Sequence, residues 1–140
     1  MPYTDNFRRQ HQEILSVVGE IQAKLKPDTV RNDPKAVRTL LSALAGKLTI
    51  HLAMEDKALY PRMIQADVDN SKAMATTFQA EMGGIGQVFT AYNQKWQAGT
   101  IGADPAGFVR ETQDLFGALG KRIERENGQL YPLADRALGS

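Results

Sequence analysis

A pattern of eleven residues occurs twice in this chain, and it restricts the folds that the sequence can adopt. Residues 51–61 read HLAMEDKALYP, and residues 122–132, which lie 71 positions later, read RIERENGQLYP. Glutamate, leucine, tyrosine and proline align in the two copies, whereas His51 aligns with Arg122. Residues four apart share one face of an α-helix, so a helix here would present His51 and Glu55 on the same face.

The residues before His51 show which face this is. Apolar side chains recur there every three or four positions, and the same steps lead on to His51 and Glu55. An imidazole and a carboxylate therefore replace two members of an apolar stripe. A buried polar group without a partner costs free energy, and a lone buried charge costs more. We therefore expect other polar groups to meet these two in the interior.

Three further stretches carry apolar stripes at helical spacing, and no stretch alternates as a strand would. The stripes are Phe7, His11, Ile14, Val18, Ile21 and Leu25; Phe78, Met82, Ile85, Phe89, Tyr92 and Trp96; and Leu115, Leu119, Arg122, Glu126, Leu130 and Leu133. Four long amphipathic helices with short connectors predict an all-α fold. The expected architecture is an antiparallel up-down-up-down four-helix bundle that forms one domain over residues 1–140.

Local signals predict where these helices begin and end. Asp33 and Asp104 each precede a proline, which is a strong helix start, and Thr4 or Asp5 can cap the first helix. Pro27 should end that helix, leaving 28–33 as a polar connector. The second helix should end or kink at Pro61. Glycines at 83, 84 and 86 predict a bend within the third helix or a close approach of another helix.

Composition excludes several classes of function. The net charge is +1 with 24% charged residues, so we expect neither nucleic acid nor a membrane surface as a partner. The chain has no cysteine, which excludes disulfides and thiolate-bound clusters. The N-terminal residues lack the pattern of a signal peptide, and a cytoplasmic location is expected.

Six unusual stripe positions from the four helices should lie at a similar depth in the bundle. They are His11, His51, Glu55, Met82, Arg122 and Glu126. Two imidazoles and two carboxylates are a plausible ligand set for iron, zinc or manganese. The alternative is structural, because a histidine on an apolar face is usually a hydrogen-bonded core residue. A structural role is also favoured for Tyr60 and Tyr131, as aromatic packing at two equivalent helix ends.

At this point the chain resembles hemerythrin-like, or HHE cation-binding, domains. The matching features are His11 in the first helix, His51 and Glu55 in the second, and Glu126 followed by Leu-Tyr-Pro in the fourth. The resemblance implies a four-helix bundle with a non-haem di-iron centre, used for O2 binding, sensing or iron handling. One iron would take the two histidines, and the two glutamates would bridge both irons.

The resemblance also shows what this chain lacks. The second iron of the family takes histidines from the third and fourth helices, and those positions hold Met82 and Arg122. Glu81 is one residue from the expected place and could substitute for a missing ligand. Arg122 carries a permanent positive charge, and beside Glu55 and Glu126 it could replace part of the charge of the absent ion.

Two functions follow. In the first, one metal ion (Fe, Zn or Mn) binds to His11, His51, Glu55 and Glu126, with O2 as a further possible ligand. In the second, no ion binds, and Arg122 forms a buried ion-pair network in a module that binds a partner protein. We expect a sensing or regulatory role and no enzymatic activity. A haem site with Met82 as an axial ligand is a weaker alternative.

Overall fold

The computed structural model describes residues 2–139, apart from the side chain of Met82. Its helices, in chain order, are α1 (Asp5–Gln22), α2 (Pro27–Asn32), α3 (Pro34–Met54), α4 (Tyr60–Ala66), α5 (Ser71–Met82), α6 (Ile85–Lys95), α7 (Ala98–Ala103), α8 (Pro105–Arg125) and α9 (Tyr131–Leu138). Two π-helical turns, Glu55–Leu59 and Glu126–Leu130, join α3 to α4 and α8 to α9. No strand occurs within residues 2–139, so the predicted all-α fold is confirmed.

Both predicted cap-and-proline starts are present. The Asp33 carboxylate accepts a hydrogen bond from the Ala36 N–H at 3.1 Å, and the Asp104 carboxylate accepts one from the Gly107 N–H at 3.0 Å. These bonds satisfy backbone donors that a helix start leaves without partners. Thr4 precedes α1 as predicted, but it does not cap the helix. Its hydroxyl instead contacts the Asp135 carboxylate at 2.9 Å, which ties α1 to α9.

Two predicted boundaries differ from the structure. The second helix does not end at Pro61. It passes through the first π-turn and continues to Ala66, because Pro61 falls in the first turn of α4, where no backbone donor is needed. The expected connector 28–33 is largely helix α2, held by the buried Val30. At the glycine cluster the helix is interrupted, since α5 and α6 are separated at Gly83–Gly84.

The helices pack pairwise around a common interior. Helix α1 packs against α3, α4 packs against α5 and α9, and α3 also contacts α6 and α7. This packing confirms a helical bundle, and the up-down-up-down order stays a prediction. None of the described helices combines the length and hydropathy that a membrane span requires.

A polar layer divides the apolar interior in two. One apolar cluster includes Ile14, Leu48 and Leu119, and the other includes Phe7 and Leu130. Between them, on three helical stretches, the interior positions are polar and buried: His11, His51, Glu55, Arg122 and Glu126. The sequence thus places a compact polar site between two apolar clusters, where each polar group needs a hydrogen-bonding or charged partner.

Candidate metal centre

The two π-turns begin at the two buried glutamates. The Tyr60 N–H bonds to the Glu55 carbonyl, and the Tyr131 N–H bonds to the Glu126 carbonyl. In a regular α-helix, residues five apart point about 140° away from each other. A π-turn bonds residue i to residue i+5 and brings those two side chains back towards one face. Each turn therefore directs a carboxylate and a phenol into the same interior.

The four predicted ligands come together in this layer. One donor atom from each of His11, His51, Glu55 and Glu126 lies within 4.8 Å of every other, and all four residues are buried. The His11 Nε2 atom is 2.9 Å from the Glu126 Oε1 atom and 3.0 Å from the His51 Nε2 atom. The His51 Nε2 atom is 3.5 Å from the Glu55 Oε1 atom. The convergence expected from helical spacing is present, and metal ligation stays a prediction.

These separations fit a single ion. Two ligands bound at about 2.1 Å lie about 3.0 Å apart at a right angle and about 3.4 Å apart at a tetrahedral angle. The contacts between the two Nε2 atoms, from His11 to Glu126, and from His51 to Glu55 lie close to this range, at 2.9 to 3.5 Å. Three of the separations therefore fit one small cation, whereas the distance from His51 Nε2 to Glu126 Oε1 is longer, at 3.8 Å.

The outer nitrogen of each imidazole is held by a side-chain amide. The His11 Nδ1 atom is 2.9 Å from the Asn127 Oδ1 atom, and the His51 Nδ1 atom is 2.8 Å from the Gln10 Oε1 atom. In the orientation of these two amides the oxygen accepts, which matches a tautomer with the proton of each ring at Nδ1. Such outer hydrogen bonds are typical of metal-binding histidines.

With this tautomer, no donor hydrogen lies between the acceptor atoms at the centre of the site. Both Nε2 atoms then present lone pairs to each other across 3.0 Å, and the Glu126 Oε1 atom faces the His11 Nε2 atom at 2.9 Å. Acceptors so close need a cation or a proton between them. Burial lowers the pKa of His51, which disfavours a second proton on that ring. A bound cation would satisfy the facing acceptor atoms.

Arg122 contacts both carboxylates of the site. Its Nη2 atom donates to the Glu55 Oε1 atom at 3.0 Å, and its Nε atom lies 3.4 Å from the Glu126 Oε2 atom. Only 3% of Arg122 is exposed. Despite burial, the two carboxylates raise the pKa of Arg122, so the guanidinium stays charged. Its charge offsets that of one of the two glutamates.

The two glutamates differ in their environment. Burial and the neighbouring Glu126 carboxylate raise the pKa of Glu55 well above its ordinary value. Burial also acts on Glu126, but its contacts with His11, His51, Glu55 and the Arg122 guanidinium prevail and lower its pKa. Without an ion, the pair therefore favours a proton on Glu55. A divalent cation could replace that proton, because it supplies the positive charge that the carboxylates lack.

Sequence reasoning missed the role of one tyrosine hydroxyl. The Tyr131 hydroxyl donates to the Glu55 Oε2 atom at 2.8 Å and lies 3.0 Å from the His11 Nε2 atom. The expectation that Tyr131 only packs at a helix end is therefore wrong. The repeated Leu-Tyr-Pro pattern was the available signal, but it indicates the site only if the preceding turn is a π-turn. Gln10 and Asn127 were also missed, since neither lies on an apolar stripe.

Two residues considered as substitute ligands do not join the described site. Glu81 lies at the surface, where it pairs with Arg125 at 2.5 Å. Glu81 is absent from the buried cluster, so a substitution by Glu81 for a missing histidine is not observed in the described residues. The side chain of Met82 lies outside the described residues.

Residues 3–134 match the family described as the hemerythrin HHE cation binding domain. This match covers nearly the whole chain, so the protein belongs to that family. Comparisons with curated proteins and with solved structures gave no match. The family and the buried cluster together indicate cation binding, and they leave the identity and number of ions open.

Proposed function

We propose that this protein binds one divalent transition-metal ion inside its helical bundle. The ion would be held by four side chains: His11, His51, Glu55 and Glu126. The observation that carries this proposal is the contact between the two Nε2 atoms at 3.0 Å, with each ring proton held at Nδ1. Two imidazole lone pairs would converge there on a point that a bound cation would stabilise.

The donor chemistry restricts the choice of ion. Two imidazoles and two carboxylates suit Fe(II), Mn(II) and Zn(II), whereas the absence of thiolates disfavours softer ions. Iron in such a site would supply redox chemistry and a position for O2, and zinc would supply a Lewis acid. The chain's own contribution is to orient both imidazoles through Gln10 and Asn127 and to hold Arg122 against the carboxylates.

A sensing or regulatory role fits this site better than catalysis. The donors come from three helical stretches, so occupancy would change how firmly α1 is held against the rest of the bundle. The free energy of metal binding would then add to the stability of the folded state. The output of such a sensor would be a changed affinity for a partner protein.

A second candidate is a module that needs no metal, and one observation favours it. Each carboxylate oxygen already has a partner within the chain: Arg122 and Tyr131 contact Glu55, and His11 and Tyr60 contact Glu126. Such a network is largely satisfied by itself. It leaves the facing Nε2 atoms unexplained, which is why we place it second.

Metal titration of the full chain, without a histidine tag, separates the two candidates. At 100 times the dissociation constant, a bound ion should stabilise the fold by about 2.7 kcal/mol, which is measured as a rise in melting temperature. Glu55→Gln should lose most of this rise, because it removes a charged ligand. Asp56→Asn is the matched control, since Asp56 is the next residue and is exposed. No rise with Fe(II), Mn(II) or Zn(II) would favour the metal-free module.

A further inference from the structure

One side of the proposed site is a triangle of three donor atoms. The His11 Nε2 atom is 3.0 Å from the His51 Nε2 atom and 3.0 Å from the Tyr131 hydroxyl oxygen. The third side, between the Tyr131 oxygen and the His51 Nε2 atom, is 3.5 Å. Donors bound to one ion at about 2.1 Å have separations of about 3.0 to 3.4 Å. The phenol thus completes a face with the same spacing as the imidazoles.

Hydrogen bonding directs the phenol oxygen towards this face. The single hydroxyl hydrogen of Tyr131 goes to the Glu55 Oε2 atom, at 2.8 Å. The oxygen lone pairs are then the part of the group that faces the His11 Nε2 atom, which carries no proton in the assigned tautomer. Packing fixes this position, because the Tyr131 ring stacks on the His11 ring with centroids 5.1 Å apart and is fully buried.

We propose that Tyr131 is a fifth ligand, which binds the ion through its phenolic oxygen. This inference rests on the proposed metal site and adds a residue to it. With a ferric ion, the O–H bond breaks as the oxygen–metal bond forms, and the proton is released to solvent, as is general for ligands that bind in a deprotonated form. The set then becomes two imidazoles, two carboxylates and one phenolate.

The internal repeat supplies a built-in control. Tyr60 is the counterpart of Tyr131 in the first copy, and it is equally buried. Its hydroxyl lies 3.5 Å from the Glu126 Oε2 atom, which is the oxygen that also faces Arg122. The Tyr131 hydroxyl therefore lies next to both imidazoles, whereas the Tyr60 hydroxyl contacts the Glu126 oxygen that Arg122 also contacts. Only Tyr131 should bind the ion.

The test uses the full chain loaded with Fe(II) without oxygen, oxidised with ferricyanide and desalted. Iron content, visible absorption and resonance Raman spectra are then recorded. The wild type should show a visible phenolate-to-iron charge-transfer band, with Raman ring modes that shift on incorporation of ring-deuterated tyrosine. Tyr131→Phe should lose the band and keep its iron. Tyr60→Phe should keep both.

The outcomes separate this inference from the proposed function. Bound iron without the band in the wild type, or a band that survives in Tyr131→Phe, overturns the phenolate ligand and leaves the metal site intact. A wild type that takes up no iron overturns both. If Tyr131→Phe fails to fold or to hold iron, the labelled Raman spectrum of the wild type decides the question without a variant.

Discussion

Arg122→Met tests how the buried charges are balanced. Arg122 contacts both Glu55 and Glu126, and each of these residues is 0% exposed. Methionine fills a similar volume but leaves the two carboxylates without their shared cation. Breaking a buried ion pair by removing one partner typically costs about 3–5 kcal/mol. For a domain of this size, that corresponds to a fall in melting temperature of roughly 6–20 °C.

The assay is thermal unfolding of metal-free protein, followed by circular dichroism. Arg125→Met is the matched control, because Arg125 lies three residues further along the same stretch and pairs with Glu81 at the surface. A surface pair contributes only about 0–1 kcal/mol, so this variant should melt close to the wild type.

Metal should act more strongly on Arg122→Met than on the wild type. The variant site keeps both carboxylates and loses one positive charge, so a divalent ion meets a more negative set of ligands. Its melting temperature should therefore rise further on metal addition. If metal-free Arg122→Met melts together with Arg125→Met, the guanidinium does not balance the glutamates, and the reasoning fails.

Two further variants test the outer parts of the site. Asn127→Ala removes the amide that holds the His11 Nδ1 atom. Loss of such an outer hydrogen bond should weaken metal affinity by about 10–100-fold, as measured by competition with a chromophoric chelator. Unchanged affinity would show that the imidazole needs no such orientation. Glu81→Gln should leave the metal content unchanged by elemental analysis, because Glu81 pairs with Arg125 at the surface; a loss of metal would place Glu81 among the ligands.

Much of the fold could be predicted from the sequence, because its signals are local and agree with each other. The stripe from Val37 to Leu48 has a period that only a helix satisfies, and Asp33 and Asp104 satisfy the helix starts that follow them. The site layer followed from the same periodicity. Three helices each carry a polar residue where an apolar one is expected, and burying these residues forces them to share partners.

The π-turns could not be predicted in this way. Regular helical spacing points Tyr131 away from Glu126. The spacing therefore agrees with the expectation that Tyr131 packs at a helix end, and it does not indicate a contact with the site. The turn that redirects it is stabilised by contacts between helices, such as the bond from Tyr131 to Glu55 across 76 positions of sequence. No local signal reports a contact over that distance. Helix α2 was missed for a similar reason, because its six residues depend on the burial of Val30.

The pairing of Thr4 with Asp135 likewise shows tertiary contact overriding local preference. A threonine before a helix usually bonds the backbone of its first turn. Here the Asp135 carboxylate accepts hydrogen bonds from both the N–H and the hydroxyl of Thr4, each at 2.9 Å. The cap residue was identified by its position, but its partner depended on the fold.

Native mass spectrometry of the tag-free chain, reloaded with Fe(II), Mn(II) or Zn(II), tests the central claim most directly. That claim is that four side chains hold one ion while Arg122 takes the place of a second. The predicted spectrum shows the mass of the chain plus about one ion. No species with two ions should appear, however far the metal concentration exceeds the dissociation constant. A chain that binds two ions, or one that stays below about 0.1 ion per chain, would contradict it.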